Sequence, residues 1–345
     1  MTYRVGVVGA SGYTGAELLR LLAAHPEIEV GWVTAESNAG AAVADLYPSL
    51  GPAYGTLRYE AVDTSAFAGA DAVFLALPHG ESQRLVPALI GTVEHVVDLG
   101  ADFRLPAAEY EKWYGEPHGA PDLLEHFAFG LVEIYRDEIH SRPHVANPGC
   151  YPTAASLALA PLLAAGVVER TGIVVDACSG VSGAGRSPKP MSLFSEANEQ
   201  VSAYGLLSHR HTAEMEQALG RVAGAPVQVL FTPHLVPMTR GILATCYAKP
   251  SVDGLTTASL LDLYRDQYDG EAFVVVVDEP SGTKATTGSN AVHVTVRYDG
   301  RTGTVLAIAA EDNLVKGAAG QAIQNANLLL GLPEAHGLTA VGLAP

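Results

Sequence analysis

Cysteine is scarce in this chain: three residues, Cys150, Cys178 and Cys246, among 345. They are odd in number and far apart, which argues against a disulfide framework and fits a reducing cytoplasm. Positive charge is scarce too. Twenty Lys and Arg stand against 37 Asp and Glu, a formal net charge of −17. So acidic a surface argues against nucleic acid or an anionic membrane as partner. An anionic small molecule would need a local cationic pocket, which makes arginines near motifs informative. No run of about 18 apolar residues is free of charge and turn residues, so no membrane span is expected. There is no internal repeat, no low-complexity linker, and no basic leader or secretory core. What is present is 48% hydrophobic, enough at this length for two domains with their own cores.

The stretch richest in chemistry is Asn147-Pro148-Gly149-Cys150-Tyr151-Pro152-Thr153. Pro148 and Gly149 make a turn, and the alanine-rich segment Ala154 to Ala165 reads as a helix. Pro152 falls in the first helical turn, where its missing N–H costs nothing. Cys150 then sits at the positive end of a helix dipole, which favours thiolate over thiol. A free thiol has a pKa of about 8.5, and roughly 1–2 kcal/mol from the dipole lowers it by about one unit. A buried, inert cysteine is the usual alternative. The turn-cysteine-helix setting, with a nucleotide site upstream, favours the nucleophile.

That nucleotide site opens the chain. Tyr3 to Val8 reads as a buried strand, followed by Gly9-Ala10-Ser11-Gly12-Tyr13-Thr14-Gly15. A leucine-bearing helix over Ala16 to His25, stopped by Pro26, and a strand over Glu29 to Val33 complete the unit. Strand, glycine turn, helix and strand form the opening of a Rossmann-type dinucleotide-binding domain, with the pyrophosphate on the helix N-terminus. Gly9, Ser11, Gly12, Tyr13, Thr14 and Gly15 are the expected cofactor contacts. A carboxylate at the second strand's end would favour NAD. Thr34 and Ala35 are neutral there, and Ser37 and Asn38 can donate to an extra phosphate, so NADP is expected although Glu36 lies close by. Strands over Ala72 to Leu77 and His95 to Leu99 end in Pro78-His79-Gly80 and in Gly100-Ala101-Asp102-Phe103-Arg104. Pro78 and His79 are further cofactor candidates. Arg104 is a candidate fork for phosphate or carboxylate, unless it merely pairs with Asp102 or Glu109.

The second half begins with a strand over Gly172 to Ala177 that runs into Ser179-Gly180-Val181-Ser182-Gly183-Ala184-Gly185-Arg186-Ser187-Pro188-Lys189. Small residues there allow close approach of a ligand. Next comes Ser208-His209-Arg210-His211-Thr212-Ala213-Glu214. A metal could use such a His-x-His-x-x-Glu set, but the cysteines lack ligand spacing and no acidic cluster completes it, so no metal is expected. Acid/base work or substrate contact is the better reading, since thiol chemistry needs a proton donor near neutrality. Strands over Val227 to Lys249, Phe273 to Val277, Ala291 to Tyr298 and Thr304 to Ala309 make a mixed, largely antiparallel sheet, with a hairpin turn at Asp299 to Gly303. A last helix, Asn313 to Leu330, is expected to pack on the first domain with Asn313 and Lys316 toward the cofactor. The fold class is therefore α/β: a dinucleotide domain of residues 1–149 with 313–345, and an α+β catalytic domain of 150–312.

The glycine turn, the cysteine motif, Ser179 to Arg186, His209-Arg210-His211 and Pro233-His234-Leu235-Val236-Pro237-Met238 together resemble the N-acetyl-gamma-glutamyl-phosphate reductases of arginine biosynthesis. The resemblance runs through essentially the whole chain, in order. It implies an NADP-dependent, cytoplasmic homo-oligomer, usually a tetramer, that acts on a small acyl phosphate. It maps the nucleophile to Cys150 and the acid/base to His209, with His211 second. Ser179, Arg186, Asn147, Arg104 and His211 become substrate candidates, and Ser182, Gly183 and Asn313 cofactor candidates. Aspartate-semialdehyde dehydrogenase and N-acetylaminoadipyl-phosphate reductase stay open as alternatives, as does a cofactor-binding redox sensor with Cys150 as its thiol. A tyrosine-dependent short-chain dehydrogenase is disfavoured, because no tyrosine has a lysine four residues on.

Overall fold

The computed structural model describes residues 2–343. Contacts divide them into two compact units, one of residues 2–148 with 318–338 and one of 149–317 with 339–343.

The first unit is built on six parallel strands: β1 Tyr3–Val8, β2 Ile28–Thr34, β3 Ala72–Leu75, β4 His95–Asp98, β5 Phe127–Phe129 and β6 His144–Ala146. Their order is β2-β1-β3-β4-β6-β5. Such strands are covered on both faces, which is why β1 and β3 read as continuous apolar runs. Val5, Val7 and Val8 and every residue of β3 are buried. Phe67, Leu75, Val86, Leu89, Phe103 and Phe127 share one core cluster. Each such side chain contributes roughly 1.5–3 kcal/mol by leaving water. In order, β1, the helix Tyr13–Leu22 and β2 make the expected nucleotide-binding opening.

The second unit carries seven strands: β7 Ile173–Ser179, β8 Ser202–Ala203, β9 Val229–Leu235, β10 Ile242–Ala248, β11 Val274–Val276, β12 Val292–Asp299 and β13 Thr304–Glu311. Their order is β11-β12-β13-β10-β7-β9-β8. Only β11–β12 and β7–β9 pair in parallel; the other four pairings are antiparallel. The expected mixed sheet is therefore present. One face packs on the helix Cys150–Ala164, buried at every residue from Tyr151 to Leu163. Burial all round leaves that helix no polar stripe, so its sequence shows composition rather than period. Pro161 cannot donate to the Leu157 carbonyl one turn earlier. The Tyr268 hydroxyl takes that place, donating to the Leu157 oxygen at 2.5 Å, while Tyr264 donates to the Ala158 oxygen.

The division differs from the expected one at two places. Residues 313–317 and 339–343 belong to the second unit rather than the first. Backbone bonds hold the tail there: Asn290 N–H to the Thr339 oxygen and Leu343 N–H to the Thr287 oxygen, both 2.8 Å. Lys316 is fully buried within this unit, its Nζ 5.8 Å from the centroid of the Phe273 ring, rather than lying on a cofactor surface. The expected last helix opens with a π-helical turn, Val315–Ala319, before the α-helix Gly320–Leu329. Among the described residues no helix is long and apolar enough to cross a membrane.

Candidate active site

In the first unit the glycine turn caps β1. Gly9 has φ +78°, and a Cβ there would lie 2.3 Å from the Ala76 oxygen. A Cβ on Gly15 would lie 2.5 Å from the Ala10 Cα. Both are glycine because the backbone packs against them. A Cβ on Gly12 meets nothing nearer than 3.6 Å, so packing does not demand that glycine. Gly12 is the N-cap of the helix beginning at Tyr13 and Thr14, and no side chain caps it. Open space over uncapped N–H groups fits a pyrophosphate. Beside this turn the Asn38 Nδ2 donates to Ser11 Oγ and to Ser37 Oγ, 3.1 Å each. The Glu36 carboxylate is turned to the Val62 N–H at 3.1 Å.

At the ends of β3 and β4 a polar network organises the next two loops. Asp102 is fully buried and accepts from His79 Nδ1 (3.0 Å), Gly80 N–H (2.8 Å) and Gln83 N–H (3.0 Å). His79 is half-buried, with the Tyr114 ring tilted against it at 4.4 Å between centroids; Pro78 beside it is exposed. Asp98 is fully buried, and its Oδ1 accepts from Ser82 Oγ (2.7 Å) and Gly100 N–H (2.8 Å). Burial pushes its carboxyl up to about 7 against those hydrogen bonds. The half-buried Arg104 donates from Nη2 to the Leu99 oxygen at 2.8 Å. Asp102 is occupied as described, and Glu109 pairs with Lys112 at 2.9 Å.

Asn147 is buried, and its amide is already committed inside the first unit. Its Nδ2 donates to the Ala318 oxygen (3.2 Å), and its Oδ1 accepts from Asn325 (3.1 Å). Its N–H meets the Asp98 oxygen at 2.7 Å. This residue ties the turn to β4.

In the second unit Cys150 is the first residue of its helix and half-buried. Gly149, the N-cap, has no room for a side chain: a Cβ would lie 2.5 Å from His211 Nε2. The Gly149 N–H donates to the fully buried Glu214 Oε2 at 2.8 Å, and Glu214 Oε1 is 3.9 Å from His211 Nε2. A carboxylate therefore already faces the positive end of this helix. His209 lies on the other side of His211, with 4.7 Å between ring centroids, and packs edge-on to Tyr151, Tyr204 and Phe231. Its Nδ1 accepts the His211 N–H at 3.2 Å, which puts its own proton on Nε2. Burial, with His211 and Arg210 nearby, pulls His209 down to about 3. A neutral His209 ring, with its Nδ1 accepting a backbone N–H, presents its Nε2–H as a donor.

Ser179 is buried at the end of β7, and its Oγ lies 3.1 Å from the Gly180 oxygen. Asn313 Nδ2 donates to Ser182 Oγ (3.0 Å), and Asn313 Oδ1 accepts from the Gly241 N–H (2.8 Å). A Cβ on Gly183 would come within 3.7 Å of the same amide. The structure so gathers Ser182, Gly183 and Asn313, and separately Cys150, His209 and His211. Arg186 stands exposed on its loop. Glu214 closes the His-x-His-x-x-Glu set read above for metal or acid/base work. Its signal was available: three residues after His211 on a helix, it shares that residue's face.

A parallel sheet with a glycine turn and a mixed-sheet unit whose first long helix starts at a cysteine are the two parts of a dehydrogenase-like chain, and the family matches name its class. Residues 4–142 match the family described as semialdehyde dehydrogenase, NAD binding domain, and residues 150–313 match semialdehyde dehydrogenase, dimerisation domain. The fold is shared with aspartate semialdehyde dehydrogenase II of Vibrio cholerae (TM-score 0.73, 18% identity, 96% of this chain and 99% of that one). It is also shared with aspartate semialdehyde dehydrogenase of Candida albicans, solved with NADP (TM-score 0.69, 16% identity, 95% and 99%). Sequence likeness is much closer elsewhere. The chain is 53% identical to the N-acetyl-gamma-glutamyl-phosphate reductase of Symbiobacterium thermophilum and 48% identical to that of Geotalea daltonii, each over 99% of both chains. The chain belongs to the N-acetyl-gamma-glutamyl-phosphate reductase family.

Proposed function

We propose that this enzyme reduces N-acetyl-gamma-glutamyl phosphate to N-acetylglutamate 5-semialdehyde and releases phosphate. The observation that carries the reading is Cys150 at the head of a buried helix, with the ring of His211 pressed against the preceding residue. The Cys150 thiol gives up its proton to a neighbouring imidazole, and the sulfur attacks the acyl carbon. The C–O bond to phosphate breaks, leaving a thioester on Cys150. A bound reduced nicotinamide dinucleotide supplies hydride to such a carbonyl. The neutral Nε2–H of His209 donates to the oxygen that becomes negative, and collapse of the thiohemiacetal returns the sulfur and frees the aldehyde. The acyl phosphate is already activated, so the route calls for neither a metal nor ATP. Arg104 serves as the anion fork of the first unit, and Arg186 as a second cation for the substrate.

Residues around the glycine turn fit a dinucleotide: Gly12 leaves space, and the helix N-terminus is uncapped. NADP over NAD is supported by neutral Ala35 at the strand end, by the Ser11-Ser37-Asn38 cluster, and by Glu36 being turned to the Val62 N–H. A homo-oligomer is supported by the open face of the second sheet, where Val174, Leu230, Leu243, Tyr247, Leu306 and Ile308 remain half-buried or exposed. A cytoplasmic setting suits three free thiols.

The test is phosphate-dependent reduction of NADP with N-acetylglutamate semialdehyde. Cys150→Ser is expected to bind NADPH normally while turnover falls by about 10⁴-fold or more. Wild-type-like turnover in that variant would refute the thioester route. A preference for aspartate semialdehyde would move the substrate assignment to the shorter acyl phosphate.

A further inference from the structure

We propose that Arg240 selects the substrate, its guanidinium holding the α-carboxylate of the acyl chain while Cys150 attacks the other end. The role rests on the substrate proposed above.

Arg240 lies in the loop between β9 and β10. Because β7 and β9 run parallel, this loop and the one that follows Ser179 leave the sheet at the same edge. Three backbone bonds zip the two loops together: Gly180 N–H to the Gly241 oxygen (2.9 Å), Val181 N–H to the Met238 oxygen (2.9 Å) and Ser182 N–H to the Thr239 oxygen (3.1 Å). The end of β13 lies beside them, since Glu311 pairs with Ile242 and Ile242 with Ser179. The next residue, Asp312, is fully buried, and its Oδ2 is 3.4 Å from Arg240 Nη1. The Asp312 carboxylate also accepts the N–H groups of Gly288 (2.7 Å) and Leu314 (2.9 Å), and its backbone oxygen accepts that of Gly317 (3.0 Å). Gly317 is the backbone against which the nucleophile packs: a Cβ on it would lie 2.7 Å from the Cys150 Cβ. One buried aspartate therefore ties the guanidinium and the backbone beside Cys150 to the same short turn.

The burial of this cation suits it to a ligand. Arg186 and Lys189 are exposed and Lys316 is wholly buried, whereas the Arg240 side chain keeps 28% of its surface open. A chain of net charge −17 has to concentrate positive charge where it binds an anion. Held at one nitrogen by a fixed carboxylate, the guanidinium presents a planar fork with little freedom left to lose. Asp312 offsets part of its charge, which favours a singly charged carboxylate over a doubly charged phosphate. The carboxylate also stays on the enzyme through acylation and hydride transfer, whereas phosphate leaves after the first. A stationary cation therefore serves the end that does not change.

Two aldehydes decide the matter: N-acetylglutamate 5-semialdehyde and 4-acetamidobutanal, the same molecule without its carboxylate. Each is assayed on the full-length enzyme by phosphate-dependent reduction of NADP. Wild type should favour the acid by about 100-fold or more in kcat/KM, the worth of a charge-assisted pair in a site built for it. Arg240→Gln should lose that factor on the acid and at most about threefold on 4-acetamidobutanal, so the preference collapses. Its KM for phosphate should stay at the wild-type value. Arg240→Lys keeps a charge beside Asp312 without the fork, and it carries the test if the glutamine variant fails to fold. It should lose about tenfold on the acid alone. Equal losses on both aldehydes in Arg240→Lys would overturn the proposal. So would an undiminished preference for the acid in either variant, or a change confined to the KM for phosphate. A wild type that turns over neither aldehyde would sink the substrate reading and the carboxylate assignment with it. A wild type that acts on the acid, with variants that keep its full preference, would sink the role of Arg240 alone.

Discussion

Replacing Asp98 with asparagine should make the first unit more stable at pH 8 than at pH 5, relative to wild type. Asp98 is wholly buried, and burial raises its carboxyl from an ordinary 3.8 to about 7. A carboxyl with a raised folded pKa holds its proton in the folded chain where the unfolded chain has already lost it. Its stabilising contribution is therefore complete below about pH 4 and is lost as pH rises through about 7. Between pH 5 and pH 7 the loss amounts to two pH units at about 1.36 kcal/mol each, roughly 2.7 kcal/mol. Asparagine does not titrate, so this dependence disappears in Asp98→Asn. Its amide oxygen can still accept from Ser82 Oγ and Gly100 N–H, the two bonds made by Oδ1. Oδ2 has no hydrogen-bond partner among the described residues, so an NH₂ there would be unsatisfied, at a cost of about 1–3 kcal/mol. That cost does not vary with pH and cancels when the two pH values are compared. Both tryptophans of the chain, Trp32 and Trp113, lie in the first unit. Urea unfolding followed by tryptophan fluorescence therefore reports the unit that holds Asp98. The stability difference between variant and wild type should grow by roughly 2–3 kcal/mol in the variant's favour from pH 5 to pH 8. A difference that stays within about 0.5 kcal/mol would show that Asp98 ionises normally in the folded protein.

Three other outcomes follow from the same geometry. Gly149→Ala places a methyl 2.5 Å from His211 Nε2 and should displace that ring, cutting kcat by about 100-fold while melting stays near wild type. Steady-state kinetics beside calorimetry would reveal it, and unchanged kcat would contradict the contact. Gly12→Ala should cost under about 1.5 kcal/mol of stability, the loss of a favoured N-cap, yet weaken dinucleotide binding by about tenfold. Gly15→Ala, with its Cβ 2.5 Å from Ala10 Cα, should destabilise the unit by more than about 2 kcal/mol. Fluorescence titration with NADPH and thermal melts separate the two glycines, and equal losses in both readouts would reject the distinction. With the homo-oligomer proposed above resting on the open sheet face, Leu230→Asp with Tyr247→Asp should yield a lighter species by sedimentation velocity, and no change would contradict that proposal.

Much of this molecule could be read in advance because local chemistry and tertiary role coincide in it. The strand of β1, its glycine turn and the following helix are specified by neighbours in sequence. Apolar runs bounded by turns likewise announced β3, β4 and the hairpin between β12 and β13. The helix start drifted, from an expected Ala16 to Tyr13, because a glycine N-cap without a side-chain bond leaves no sequence mark. The end of the second unit was harder still. Residues 313–317 continue an apolar, helix-like pattern, yet Asn313 is held by Ser182 and Gly241, more than 70 residues away. Periodicity cannot see such a bond.

The histidines show the same limit in the chemistry. His209 and His211 lie two residues apart in one short segment, and composition gives no reason to prefer either. What distinguishes them is who stands next to each. His209 is packed among Tyr151, Tyr204 and Phe231 and accepts a backbone N–H, so its ring stays neutral. His211 faces a buried carboxylate that simultaneously holds the backbone before Cys150. Residue type supplies the titratable group, and burial with one charged neighbour decides which protonation state it occupies at neutral pH. A thiol mechanism needs both a group that takes a proton and a group that donates one without being charged. In the mechanism proposed above, two identical side chains would meet those needs because the fold gives them unequal surroundings.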